Sequence, residues 1–121
     1  MQNTKHIERG RFGEMLAAKY LQRSGFSILH QNWRFKQFEI DIIAEKNNVI
    51  HFVEVKTRHT TTFGFPEESV SRKKFNTLRK GAAIFLSSFK EVKNIQFDIL
   101  SISMLPGEQV EYYFIDDVYI Y

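Results

Sequence analysis

Two alternating segments separated by a short asparagine turn constrain the fold of this chain more than any other feature. Residues 38–44 (FEIDIIA) and 49–57 (VIHFVEVKT) begin with strict alternation of apolar and polar side chains, which predicts two β-strands. Lys46-Asn47-Asn48 between them indicates a hairpin turn, because asparagine tolerates a positive φ angle. With Asn47-Asn48 as a two-residue turn, the numbers of paired residues add up to 95. A four-residue loop keeps this register, whereas an odd loop or a β-bulge shifts it.

The predicted register places two acidic side chains opposite each other. Asp41 faces Glu54, and Glu39 faces Lys56, whereas the other face carries apolar pairs, Ile40 with Val55 and Ile42 with Val53. Opposed carboxylates repel, and a divalent cation converts that repulsion into attraction; few oxygen ligands with room for water suit Mg²⁺. Lys56 could then neutralise a phosphate or orient an attacking water. The alternative is a simple ion pair between Glu54 and Lys56, with Asp41 solvated.

Glu14 is a second unusual acid. It lies on the helical stripe that includes Leu21, so it points toward the predicted core, and Gly10 and Gly13 beside it suggest a close backbone contact. An inward carboxylate needs a partner, such as a metal ion, Lys56 or a bound substrate. The alternative is that the helix begins near Gly13, which makes Glu14 a favourable first-turn acid.

The remaining segments predict an α/β fold. Helical spacing of apolar residues extends from Thr4 to Ser24, where Gly25 supplies a C-terminal cap, and again after Ser71, which can cap a second helix. Further strand patterns lie at residues 26–29, 33–35, 95–102 and 110–115, with Pro106-Gly107 as the last turn. The order α-β-β-β-α-β-β predicts one domain over residues 1–121, with a mixed central sheet flanked by helices.

Charge is distributed unevenly along the chain. Residues 1–90 carry a net charge of +8 and residues 91–121 a net charge of −5, which suggests a polyanion partner for the basic part. The alternative is two ordinary solvated faces. The candidates for phosphate contacts are Arg34, Arg58, Arg72, Lys73 and Lys74.

Other classes are excluded by composition. The chain has no cysteine, so it has no disulfide framework, thiol nucleophile or cysteine-ligated zinc. No apolar run approaches the roughly 18 residues of a membrane helix, and the polar residues 1–11 are no secretory signal. We therefore expect a cytoplasmic protein with no membrane partner. His51 alternates with Val53 and Val55, which favours a packed or edge histidine over a metal ligand.

Several motifs resemble the small bacterial YraN-like family over nearly the whole chain. They are Gly10-Arg-Phe-Gly13-Glu14, Asn32-Trp33-Arg34, residues 39–44 (EIDIIA), residues 52–58 (FVEVKTR), Phe63-Gly64, Pro66, Lys73 and Phe97-Asp98. That family is similar to archaeal Holliday-junction resolvases and belongs with the restriction-endonuclease-like nucleases of PD-(D/E)xK type.

The resemblance implies a restriction-endonuclease-like fold and a nuclease that hydrolyses phosphodiester bonds with Mg²⁺ or Mn²⁺. Its expected substrate is structured or branched DNA rather than RNA. Asp41 and Glu54 would bind the metal together with the Val55 carbonyl oxygen, Lys56 would act at the nucleophile or phosphate, and Glu14 would support them.

Two positions depart from the family pattern. Phe38 stands where the family has glycine, and Gln96 stands where it has arginine. A bulky Phe38 would either narrow access to the site or join Trp33 and Phe35. Two other functions stay open from sequence: a non-catalytic nucleic-acid-binding module, and a structural partner protein that docks through its acidic C-terminal region. A homodimer is also open.

Overall fold

The helices and strands follow the predicted order. The computed structural model describes residues 4–64, 70–91 and 93–118, with side chains from residue 11 onward, so Pro66 lies outside the described residues. The elements are α1 (Thr4–Arg23), β1 (Ser27–Phe35), β2 (Phe38–Lys46), β3 (Val49–His59), α2 (Arg72–Leu86), β4 (Asn94–Leu105) and β5 (Gln109–Ile115), with a 3-10 turn at Pro106–Glu108. The α/β class and the element order are confirmed.

The five strands form one mixed sheet in the order β1-β2-β3-β4-β5. Strands β3 and β4 are parallel, and the other neighbouring pairs are antiparallel. Antiparallel neighbours can be joined by short turns, whereas a parallel pair needs a crossover, and α2 lies in that crossover. The two short segments predicted around residues 26–35 are one strand, because a bulge between Ile28 and His30 and a left-handed Asn32 (φ 52°) keep the pairing with β2 continuous.

The helices cover opposite faces of the sheet. Neighbouring residues of β3 show this directly, since Phe52 is buried with α2 and Val53 is buried with α1. The α2 core contains Leu78, Ala82 and Phe85 of the helix with Ile43, Phe52 and Ile99 of the sheet. The α1 core contains Ala17 and Leu21 with Ile42, Val53, Leu100 and Ile102. Among the described residues, no helix is long and apolar enough to span a membrane.

The predicted helix caps are confirmed. At the start of α2, the side chain of Ser71 accepts a hydrogen bond from the backbone amide of Lys74 at 3.2 Å. At the end of α1, Gly25 has a φ of 95°, and the amide of Phe26 donates to the carbonyl oxygen of Leu21 at 2.9 Å. These caps fix where each helix begins and ends, and therefore which side chains its first turn carries toward the sheet.

A glycine sets the distance between α1 and β3. Gly13 is buried, and a Cβ atom there would come closer to Thr57 Oγ1 than carbon and oxygen can approach. The predicted close approach at Gly13 is therefore with the side chain of Thr57 near the end of β3, three residues after Glu54.

Candidate metal centre and its basic surroundings

The hairpin register is as predicted over the five residue pairs nearest the turn, whereas the predicted pairs Asp41–Glu54 and Glu39–Lys56 lie beyond the paired residues. Paired residues extend from Ile42 opposite Val53 to Lys46 opposite Val49. The turn residues Asn47 and Asn48 have φ angles of 53° and 64°, the left-handed conformation that a two-residue hairpin turn requires.

The backbone pairing between β2 and β3 ends at Ile42. Beyond it, the side chain of Asp41 provides the hydrogen-bond acceptor for β3. The backbone amide of Val55 donates to Asp41 Oδ2 at 2.8 Å. Beyond this point β2 changes its orientation, because Ile40 packs in the α2 core against Gly81 whereas Ile42 packs in the α1 core. The prediction that Ile40 shares a face with Ile42 and Val55 is therefore wrong. The reason is that Asp41 turns its carboxylate toward β3 and interrupts the regular alternation.

Asp41 and Glu54 share one electrostatic environment. Glu54 is buried, and Lys74 Nζ, from the first turn of α2, forms an ion pair with Glu54 Oε1. The pKa of Asp41 is raised from 3.8 to about 6. Burial is the main cause and the Glu54 charge adds to it, whereas the hydrogen bond from the Val55 amide and the charge of Lys74 partly oppose the rise. The hydrogen bond to Glu54 raises the pKa of Lys74. Lys74 thus compensates part of the negative charge of two partly buried carboxylates.

The donor set fits a hard divalent cation with an incomplete protein shell. Within the described residues, no group of three or more histidine, cysteine, aspartate or glutamate side chains could hold a metal ion. Two carboxylates and a backbone carbonyl oxygen, at Asp41, Glu54 and Val55, offer oxygen ligands only. Mg²⁺ suits such a set, because it usually keeps several waters and binds through one or two carboxylates. Lys56 is half-buried two residues after Glu54 on the same strand.

Glu14 lies in the middle of α1, since the helix already begins at Thr4. The alternative of a helix that starts near Gly13, with Glu14 in its first turn, is therefore wrong. The side chain is half-buried, and Asn32 Nδ2 of β1 donates to Glu14 Oε2 at 2.9 Å. This contact joins two of the motifs of the sequence, one on α1 and one on the edge strand of the sheet.

The five predicted phosphate-binding residues divide into two groups. Arg72 and Lys73 are exposed at the start of α2. The other three contact protein groups: Arg34 forms an exposed ion pair with Glu39 at 3.2 Å, Arg58 Nε donates to Ser103 Oγ at 2.9 Å, and Lys74 contacts Glu54. The exposed pair lies in the same helical turn as Lys74, whose side chain is the one shown to reach the carboxylates.

Residues 13–102 match the model of an uncharacterised protein family, UPF0102. The chain belongs to family UPF0102. Its sequence is 43% identical to the UPF0102 protein of Syntrophomonas wolfei over 102 residues, which covers 84% of this chain and 89% of the relative. It is 40% identical to a UPF0102 protein of Flavobacterium johnsoniae (81% and 83% covered) and 42% identical to one of Dictyoglomus turgidum (89% and 91% covered). The resemblance to YraN-like proteins is thereby confirmed.

The two departures from the family pattern have structural explanations in this UPF0102 protein. Phe38 pairs with Phe35 in the ladder between β1 and β2, and its Cβ atom lies against Gly81 of α2. Gln96 lies in β4, and its Nε2 donates to Asp98 Oδ1 at 2.8 Å. Phe38 therefore packs on the helix, and Gln96 supplies a donor to a buried acid.

A buried acid–histidine pair was missed from sequence. His51 Nδ1 lies 2.6 Å from Asp98 Oδ2, and both residues are buried. Asp98 Oδ1 also accepts the backbone amide of Asp117 at 2.9 Å. The sequence indicated Asp98 only as part of the Phe97-Asp98 motif. Which residue contacts Asp98 depends on the parallel pairing of β3 with β4, which places His51 opposite Gln96, two residues before Asp98. The network holds the residues after β5 onto the sheet.

Proposed function

We propose that this UPF0102 protein is a metal-dependent nuclease that hydrolyses phosphodiester bonds in structured or branched DNA. The observation that carries the proposal is the meeting of Asp41 and Glu54 at the point where the β2–β3 ladder ends. Burial and the neighbouring Glu54 charge raise the pKa of Asp41 to about 6, so the charged form of this acid is disfavoured unless a cation stabilises it. A carboxylate with a pKa raised in this way is common where a protein binds a cation or performs chemistry.

The roles follow from the donor set. Asp41, Glu54 and the Val55 carbonyl oxygen would hold Mg²⁺ or Mn²⁺. Such an ion, when bound, supplies charge stabilisation at a phosphoryl oxygen and lowers the pKa of a bound water. Lys56 would orient the attacking water or neutralise the phosphate that is cleaved. Glu14 would position the edge strand through Asn32, since that hydrogen bond is the contact that its carboxylate makes.

The exposed basic residues support a nucleic-acid substrate. Arg72 and Lys73 begin α2, next to the carboxylates, and residues 1–90 carry a net charge of +8. Positive side chains beside a cation-binding site hold a polyanion in position without reading its sequence. This pattern fits a nuclease that recognises the shape of its substrate.

The experiment is a cleavage screen with four-way-junction, forked and duplex DNA and structured RNA, with Mg²⁺ or Mn²⁺. The proposal predicts metal-dependent cleavage by the wild type and none by Asp41→Ala, Glu54→Gln or Lys56→Ala. Glu45→Gln is the matched control, because it removes an acid from the same strand at the far end of the paired region. Cleavage that survives Asp41→Ala would contradict the proposed site.

A second readout separates binding from turnover. Mn²⁺ should raise the melting temperature of the wild type and leave that of Asp41→Asn unchanged, because a ligand that binds only the folded state stabilises it. A flat response is repeated with DNA present, since substrate phosphates complete many Mg²⁺ sites.

The second candidate is a non-catalytic nucleic-acid-binding protein. The Lys74–Glu54 ion pair favours it, because this contact satisfies the buried acid without a metal ion. DNA binding without cleavage, together with melting curves that no divalent cation shifts, would establish this alternative in place of the nuclease.

A further inference from the structure

Lys74 is placed differently from the other basic residues at the start of α2. Arg72 and Lys73 are exposed, whereas Lys74 reaches back to the sheet and pairs with Glu54. Its backbone is held by the Ser71 cap, so the first turn of α2 fixes where the side chain begins. The ammonium group thus compensates the same carboxylates that the proposed function assigns to a metal ion.

The two ends of this ion pair are buried to very different degrees. The side chain of Glu54 is 10% exposed and that of Lys74 is 52% exposed. The enclosed side chain of Glu54 has little room to move away from the pair. Lys74 can move away, because about half of its surface already contacts water and its long side chain has several rotamers. The lysine is therefore the mobile member of the pair.

A divalent cation and an ammonium group would compete for this position. Both are stabilised by the negative charge of Asp41 and Glu54, and like charges at such short separation repel strongly in a partly buried site. A cation that binds the carboxylates therefore displaces Lys74. The released ammonium remains in the same helical turn as Arg72 and Lys73, on the side of the site where a phosphate would be held.

We propose that Lys74 is an exchangeable counter-ion: it neutralises Glu54 in the metal-free protein, and a divalent cation displaces it toward the phosphate of the substrate. This inference rests on the proposed function, because it assumes a cation site at Asp41 and Glu54. It adds that the charge of Lys74 regulates how the site binds a cation. The metal-free protein is held in a neutralised state, and metal binding releases a positive charge for the substrate.

The first test is the affinity for Mn²⁺ alone, measured by electron paramagnetic resonance of the free ion. Lys74→Gln should bind Mn²⁺ about fivefold more tightly or better, the range typical of two coupled ligands. Lys74→Arg keeps the charge and should bind as the wild type does. Lys80→Gln is the matched control, because it removes an equal charge from an exposed position of the same helix, and it should leave the affinity unchanged.

The outcomes separate the two proposals. If the wild type and Lys74→Gln bind Mn²⁺ equally tightly, the counter-ion role is wrong and the metal site stands. If neither protein binds Mn²⁺, with or without DNA, the proposed metal site fails and the counter-ion role fails with it.

The second test uses the wild type, so it does not depend on the folding of a variant. Acetylation of lysines is followed by mass spectrometry with and without Mg²⁺. Displacement from Glu54 frees the Lys74 amine, so its labelling should rise severalfold with Mg²⁺ while that of Lys80 stays constant. Unchanged labelling of Lys74 at a Mg²⁺ concentration that stabilises the protein would overturn the inference.

Discussion

The carboxylate of Asp41 accepts the backbone amide of Val55 at 2.8 Å, directly after the last paired residues of the β2–β3 hairpin. A side chain thus takes the place of a backbone partner, and the acid is held in the plane of the sheet rather than on one of its faces. This contact positions Asp41 beside Glu54, and it also explains why β2 turns Ile40 toward α2.

Asp41→Asn should stabilise the metal-free protein above pH 6. The pKa of Asp41 is raised from 3.8 to about 6 in the folded state, so the folded protein binds this proton more tightly, and stability is lost as the pH rises from about 4 to about 6. Asparagine keeps an acceptor for the Val55 amide without the charge. The expected gain at pH 8 is ~1–3 kcal/mol, and it should vanish below pH 4.

Melting curves in a metal chelator between pH 4 and pH 8 measure this difference. Asp41→Ala is the control, because it removes the same charge but leaves the Val55 amide without its acceptor, so it should be about 1–3 kcal/mol less stable than Asp41→Asn at every pH. A loss of stability in Asp41→Asn at pH 8 would mean that the carboxylate is retained for folding.

Gly13→Ala should destabilise the protein, although alanine is usually the better helix former by up to about 1 kcal/mol. The new methyl group would collide with Thr57 Oγ1, and rotation of that side chain only exchanges its hydroxyl for its methyl group, which also lies close. We expect a loss of about 1–3 kcal/mol. In a Thr57→Ala background the same change should be neutral or stabilising. Urea denaturation of the wild type, the two single variants and the double variant gives the coupling free energy between Gly13 and Thr57. Additive effects would mean that α1 does not contact Thr57 at Gly13.

Binding to DNA should weaken steeply with salt, through the exposed basic residues of α2. Arg72→Ala and Lys73→Ala together should lower the affinity and reduce the slope of log K against log salt by about 1–2, since each phosphate contact contributes about 0.9. The control is Lys90→Ala, which removes an exposed charge beyond the other end of the helix. Fluorescence anisotropy between low and moderate salt measures both quantities, and an unchanged slope would exclude this turn of α2 from the interface.

Asp98→Ala should destabilise the protein by about 2–4 kcal/mol, because it leaves buried His51 and the amide of Asp117 without their acceptor. Asp98→Asn retains one acceptor oxygen and should cost less. Hydrogen exchange of the Asp117 amide should accelerate more than that of β3 amides in Asp98→Ala. Equal acceleration at both places would show that Asp98 supports the whole sheet and not the segment after β5.

Local patterns predicted most of the fold because the interactions that decide it are local. Alternation, the Asn47-Asn48 turn and the Ser71 cap each act within a few residues, and the hairpin register followed from them. The interruption at Asp41 did not follow, because alternation alone places Ile40 with Ile42. The hydrogen bond from the Val55 amide to the Asp41 carboxylate interrupts the alternation, so Ile40 and Ile42 lie on opposite faces of the sheet.

The candidate site was predictable in part for the same reason. Asp41 and Glu54 lie on one hairpin, so their proximity followed from its register. The contacts of Lys74 with Glu54 and of His51 with Asp98 connect elements that are far apart in sequence, through the packing of α2 and the parallel pairing of β4. Their identity depends on how the helix and strands pack, which residue spacing does not encode.

The strand order also determines the sequence in which the site can assemble. Strands β1, β2 and β3 are neighbours both in the chain and in the sheet, whereas β4 reaches β3 only through the crossover that carries α2. Short loops close at lower entropic cost than long ones, so we expect the hairpin to form first and to bring Asp41 and Glu54 together before Lys74 arrives. For that interval the hairpin carries the two acids without Lys74, the cation that pairs with Glu54 in the folded protein. Refolding, followed by stopped-flow fluorescence of Trp33, should therefore be faster near pH 4, where part of Asp41 in the forming hairpin is protonated, than at neutral pH.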